Sequence, residues 1–238
     1  MQFISETERR RRVERLLAKV DVVRAEPVEQ PQAPGLVEDS VKLLVKVATE
    51  PMVPLTEAYL GLGMHASDGK WSEDDLLARG MIKLHRLARK GRGGQPTVVE
   101  VLPPGLDELR KHGITPAEKK LKRGGFKHDI YARYIERWAR DAGYRCYFER
   151  TLGDKAFDVV IEDSSGALRA IEVCLSGTAE LTARQLLKGA GVAGVQQVSA
   201  ACETPKFLSQ VLAELRLQDK EGLLGNKVVG QLLGEFVK

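Results

Sequence analysis

The chain has 238 residues, 43% of them hydrophobic, enough for two small cored domains with extensions, and its formal charge of +4 permits nucleic-acid binding without specifying it. Cys146, Cys174 and Cys202 are odd in number and far apart, which excludes a zinc ribbon and reads as reduced core thiols of a cytoplasmic protein. No membrane-length apolar run is present. Nor is there a GxxxxGK(S/T) or strand-anchored GxGxxG motif for a nucleotide cofactor, or a triad-like setting for Ser176 and the histidines His65, His85, His112 and His128.

Residues 1–26 read as a basic N-terminal helix. Ser5 and Glu8 form a capping box, Arg9–Arg12 follow, and Val13, Leu16, Leu17 and Val20 share one side. A nucleic-acid arm, a solvated charge run and a subunit-contact helix all fit such a segment. Pro27, Pro31 and Pro34 make residues 27–38 an extended linker.

In residues 39–113, helical spacing predicts helices over Ser40–Ala48 and Pro54–Leu60, and a third over Glu73–Arg79 capped by Ser72. Strands are expected at Gly80–Leu87 and Thr97–Leu102, with Pro103 to Leu109 leading into a closing helix. Between the strands lies a glycine-rich loop, and Arg86, Arg89, Lys90 and Arg92 bring cations to it. Three helices followed by a basic hairpin resemble a winged helix-turn-helix domain, which implies DNA or protein docking. Glu73, Asp74 and Asp75 in the third helix oppose phosphate but complement a helix N-terminus.

Residues 114–125 form a basic linker, with Lys119, Lys120, Lys122 and Arg123 placed to track a phosphate backbone. Residues 126–238 then predict a helix at Lys127–Ala142, a strand at Arg145–Arg150, a hairpin of Ala156–Ile161 with Leu168–Leu175, a helix at Ala179–Gly189 and a strand at Val195–Cys202. The C-terminal stretch, with Gly222, Gly225, Gly230 and Gly234, reads as two helices around an Asn226–Lys227 turn, its glycines marking close packing such as that of two protomers.

The hairpin sets Asp158 and Glu172 at the ends of neighbouring strands, where two carboxylates suit one hard cation. This pair, with the element order from Gly124 onward, resembles the PD-(D/E)xK nuclease superfamily, and the Ala142-Gly143-Tyr144 turn resembles its Holliday-junction resolvases. The resemblance implies a restriction-endonuclease-like αβββαβ domain, Mg²⁺ or Mn²⁺ on Asp158, Glu172 and the Val173 carbonyl, and hydrolysis of DNA. A further acid from the preceding helix falls on Asp129 or Glu136. His128 stands nearby, where a neutral imidazole could touch metal or phosphate, although a histidine in a first helical turn is usually solvated or helps cap the helix.

Cys174 occupies the motif's lysine position, and a thiol supplies no fixed positive charge. Three readings stay open. Lys155 or Lys188 has taken over as the catalytic cation; or the domain has lost cleavage and serves as a DNA-binding or assembly module of a larger DNA-processing or mobile-element machine; or the two acids are ordinary strand-end residues of an unrelated α/β domain. The expected partners are DNA and a homo-oligomer or larger DNA-processing complex, with no membrane.

Overall fold

A computed structural model describes residues 35–90, 94–115, 124–220, 222 and 224–237. The expected basic N-terminal helix, the linker up to Pro34, Arg92, and the cations Lys119, Lys120, Lys122 and Arg123 lie outside the described residues. Within that range the chain is mixed α and β, with seven α-helices and nine strands.

Helix α1, Glu38–Thr49, begins with two acids and has Lys46 in its last turn, matching the helix dipole. It buries Leu43, Leu44 and Val47 against α2, Leu55–Gly61, and α3, Ala66–Ala78. An antiparallel hairpin follows, β1 at Ile82–Arg86 and β2 at Thr97–Val101, with Ile82 opposite Val101. Helix α4, Pro103–Lys111, starts on a proline pair that suits the first helical turn.

Helix α3 starts seven residues before the expected Glu73. Gly69 lies inside it for packing: a Cβ at this position would stand 2.5 Å from the Tyr59 ring. Ser72 is therefore a buried mid-helix residue with no hydrogen-bond partner among the described residues, not a cap.

Helix α5, Gly125–Asp141, leads into β3, Arg145–Phe148. A two-residue hairpin of β4, Thr151–Leu152, and β5, Lys155–Ala156, interrupts the expected strands; the chain then resumes as β6, Val159–Glu162, and β7, Leu168–Cys174. Helix α6, Ala179–Ala190, crosses over to β8, Val195–Cys202, and α7, Pro205–Gln218, crosses over to β9, Val228–Leu232. Thr178 and Thr204 cap these helices by accepting from the backbone N–H groups of Leu181 and Phe207.

The five-stranded sheet runs β3-β6-β7-β8-β9, antiparallel from β3 to β7 and parallel from β7 to β9. Parallel pairing needs a crossover, and α6 and α7 provide the two. Strand β9 replaces the expected second C-terminal helix. Gly230 belongs to it because a Cβ there would come within 2.8 Å of Leu208 on α7.

Alternation along β7 divides two cores. Ile171 and Val173 pack with Ile130, Tyr131 and Ile135 of α5, whereas Ala170 and Cys174 pack with Ala183 and Leu186 of α6. Leu87 and Val98, from the hairpin region, are buried in the α5 core, and the Tyr134 hydroxyl donates to the Met52 carbonyl at 2.9 Å. Residues 37–238 accordingly form one compact unit.

Candidate functional site

One step beyond the Val159↔Ile171 pair, the register brings Asp158 opposite Glu172 on the α6 side of the sheet. Asp158 is held in place: the Val173 N–H donates to Oδ2 at 2.8 Å, and His128 Nε2 lies 3.1 Å from the same oxygen. Val173 thus meets Asp158 through its N–H. Across the pair, Lys155 Nζ lies 2.7 Å from Glu172 Oε1.

Lys155 comes from the small β4–β5 hairpin. Its ammonium also donates to the Gln185 carbonyl on α6 at 2.6 Å and lies 4.8 Å from the Phe157 ring centroid, leaving the side chain 12% exposed. Gly189 makes room for this arrangement, since a Cβ there would stand 2.8 Å from Phe157 and 3.0 Å from Lys155 Nζ. Lys188, the other sequence candidate, points elsewhere and pairs with exposed Asp154 at 2.9 Å.

His128 is better placed than its position in a first helical turn suggests. Gly124, at φ 111°, turns the chain over it, and a Cβ there would collide with the imidazole at 2.5 Å. The Gly124-Gly125 pair was the sequence signal for a closely approached residue. Asp129 and Glu136 stay outside the site, paired with Arg133 at 2.9 Å and Arg140 at 2.5 Å.

Four titratable groups therefore meet, and their electrostatics are coupled. Burial, then the negative charge of Asp158, pushes Glu172 up to about 7 against the opposing pull of Lys155. Burial works against both members of the other pair, but their attraction prevails: Asp158 is held below and His128 above its ordinary range. Cys174 is a core thiol whose Sγ donates to the Glu172 carbonyl at 3.4 Å, and its contact with Cys202, reinforced by burial, holds it far above the usual thiol range.

Two neighbouring carboxylates, one of them with a raised proton affinity, form a donor set that suits a hard divalent cation. No group of three or more His, Cys, Asp or Glu side chains is arranged to hold an ion among the described residues. Such an ion would draw its remaining ligands from water and phosphate oxygens, as Mg²⁺ commonly does.

Away from this site, the acids of α3 are in structural use. Glu73 accepts from the Tyr59 hydroxyl at 2.6 Å and pairs with Lys70; Asp75 accepts from Ser40 at 2.9 Å and pairs with Arg79. Asp68 occupies the first turn, whereas Glu73, Asp74 and Asp75 lie beyond it, so helix-end complementarity does not explain these three. The solvent face of α3 instead presents Lys70, Trp71 and Asp74. On the hairpin, Arg86 and Arg89 are exposed and have no ion-pair partner among the described residues, and Lys90 is loosely paired with Glu235 at 3.5 Å. No described helix is long and apolar enough to cross a membrane.

No family model matches the chain, and no curated protein matches it. Among solved structures it is similar to the PcaV transcriptional regulator from Streptomyces coelicolor at a TM-score of 0.30 and 17% identity, over 59% of this chain and 98% of that one. The same regulator in complex with its natural ligand gives a TM-score of 0.30 and 17% identity, over 60% of this chain and 99% of that one. Likeness at that level carries no argument about fold or function.

Proposed function

We propose that the chain is a DNA-binding protein whose α5-to-β8 region is a PD-(D/E)xK-like nuclease domain, with Lys155 in place of the motif lysine. The observation that carries this reading is the 2.7 Å contact between Lys155 and Glu172 beside Asp158. It restores the family's trio of two acids and one cation from a different strand. The order α5, three antiparallel strands, a crossover helix and a parallel strand supports the same reading.

In this proposal Asp158 and Glu172 hold Mg²⁺ or Mn²⁺, which would supply Lewis-acid charge at the scissile phosphate. The residues of the chain do the rest. Lys155, fixed by Glu172, Gln185 and Phe157, gives a preorganised positive charge that orients the attacking water and offsets charge building on the phosphorus oxygens. The Val173 N–H and His128 hold Asp158 in one orientation. The hairpin cations Arg86, Arg89 and Lys90 bind the DNA backbone.

The test is cleavage of linear, supercoiled and branched DNA in Mg²⁺, Mn²⁺ or EDTA, with Glu172→Gln run beside the parent. Metal-dependent cutting that disappears in the variant is expected. Absence of cutting on all three substrates rejects the nuclease reading.

One observation favours a second reading. His128 and Lys155 already offset the charge of Asp158 and Glu172, so the cluster is satisfied by the protein's own cations. A nuclease fold retained for DNA binding or assembly, within an oligomer or a larger DNA-processing complex, would have such a self-neutralised site. It predicts a gel shift without cutting, unchanged by Glu172→Gln.

A further inference from the structure

We infer that the β1–β2 hairpin and the carboxylate site grip one and the same DNA duplex, the hairpin acting as the substrate-binding arm of that site. This rests on the nuclease reading above and adds to it a fixed attachment of the hairpin to the helix that carries His128.

The contacts that fasten the hairpin to α5 fall on both sides of His128. The His85 ring of β1 lies against the Phe126 ring with centroids 5.1 Å apart. Past the strand, the Ala88 N–H donates to the Tyr131 hydroxyl at 2.7 Å. That hydroxyl donates in turn to Glu203 Oε1 at 3.1 Å, and the same carboxylate holds Lys127 at 2.5 Å. Lys127 and His128 thus stand between the two points at which the hairpin touches the helix, and His128 reaches Asp158.

Arg86 adjoins His85 and Arg89 adjoins Ala88, so each exposed cation grows from a residue that is itself fastened to α5. A nucleic-acid backbone is a polyanion whose phosphates would meet both exposed cations.

The connection is also stiff. The Lys90 N–H donates to the Gly234 carbonyl at 2.9 Å, and a Cβ on Gly234 would stand 3.0 Å from the backbone of Arg89 and Lys90. Leu233, Phe236 and Val237 around that glycine are buried in the core that α5 shares with Leu87. The hairpin base therefore keeps a fixed register to Asp158, unlike an arm on a free linker.

The experiment compares the full-length parent with the Arg86→Ala/Arg89→Ala double variant in two assays on a fluorescent 30-base-pair duplex. Cleavage kinetics in Mg²⁺ are expected to show KM raised on the order of tenfold with kcat within about twofold. Binding in EDTA should show a slope of log affinity against log salt shallower by about two. An unchanged KM and salt slope overturns the inference, as does a fall in kcat at constant KM, which would mark a structural effect on the site. If the parent cuts nothing, the nuclease reading fails by itself, and the EDTA arm still decides on the hairpin. In that arm a hydroxyl-radical footprint must show one continuous protected patch that shortens at one end in the double variant. Two separate patches, or no shortening, reject the shared duplex.

Discussion

Lys155 and Arg89 are both cations of the same compact unit, yet Lys155 is 12% exposed and held by a carboxylate, a carbonyl and an aromatic ring, whereas Arg89 stands in solvent with no carboxylate partner among the described residues. In the proposed nuclease the difference corresponds to two uses of positive charge. A buried, fixed ammonium loses side-chain freedom on folding and acts at one point with little reorganisation, which is what stabilising a developing charge requires. An exposed guanidinium on a glycine-rich hairpin keeps its freedom and exchanges counterions with a polyanion, giving affinity that falls steeply with salt. The same element of sequence, a lone basic residue beside a strand, yields either outcome according to what the rest of the fold brings to it.

The change that breaks this contrast most strongly is Lys155→Ala. Removing one preorganised charge from a hydrolytic site costs about 100- to 1,000-fold in kcat, and the loss should appear in single-turnover cleavage while DNA affinity in EDTA stays near the parent value. Lys155→Ala/Cys174→Lys sharpens the comparison. Position 174 faces the same side of β7 as Glu172, two residues on, so a lysine there returns the cation to the motif position. Recovery of at least tenfold of the lost rate is expected; no recovery in a variant that still folds would separate the site from the motif it resembles.

How much of this was legible beforehand follows the range of the interactions. Strand β8 occupies the expected Val195–Cys202, and the facing of Asp158 and Glu172 follows from a hairpin pattern that alternation makes visible. Lys155 was one of two candidates, and local sequence does not decide between them: the choice rests on Gln185 and Gly189, some 30 residues away on another helix. The early start of α3 and the strand β9 depend on contacts of the same kind: the Tyr59 ring and Leu208 dictate Gly69 and Gly230 through space, and local helix propensity carries no trace of either. His128 gave a weak local signal beside the paired glycines, and its ligand Asp158 is 30 residues on.

Tyr131→Phe acts at the junction of the two regions. It deprives the Ala88 N–H of its acceptor and Glu203 of a donor while leaving the ring in the core, a loss on the order of 1–3 kcal/mol when a polar group is left unpaired in a buried setting. A urea midpoint shift of that size with an unchanged m-value is expected. A shift below about 0.5 kcal/mol would mean that Leu87 and Val98 packing, the His85–Phe126 contact and the Lys90–Gly234 bond hold the hairpin without this hydrogen bond.

The pH dependence of stability tests the coupled acids. Glu172 binds its proton more tightly folded, at about 7, than at its ordinary 4.5, so its contribution is fully present below about pH 4.5 and is lost as pH rises through 7. Asp158, held below its ordinary 3.8, works in the opposite direction at lower pH and contributes above that value. Glu172→Gln keeps a neutral side chain throughout. Relative to the parent it should gain on the order of 1–3 kcal/mol between pH 4.5 and 8, read from denaturant midpoints across that window. A constant difference would show that Lys155 keeps Glu172 ionised down to its ordinary range.

The smallest expected effect belongs to Lys188→Ala, and it decides which lysine belongs to the site. Lys188 and Asp154 form an exposed pair, with side chains 59% and 74% accessible. Pairs of that kind contribute little because water screens them and both chains must be immobilised. The variant should melt within about 2 °C of the parent and cut DNA at the parent rate, although Lys188 lies one residue from Gly189, which shapes the seat of Lys155. Adjacent positions on α6 thus have opposite importance: the glycine faces the sheet and admits the buried cation, while the lysine faces solvent beside the β4–β5 turn. A cleavage loss in Lys188→Ala comparable with that of Lys155→Ala would move the catalytic cation to α6 and leave Lys155 as the structural counter-ion of Glu172.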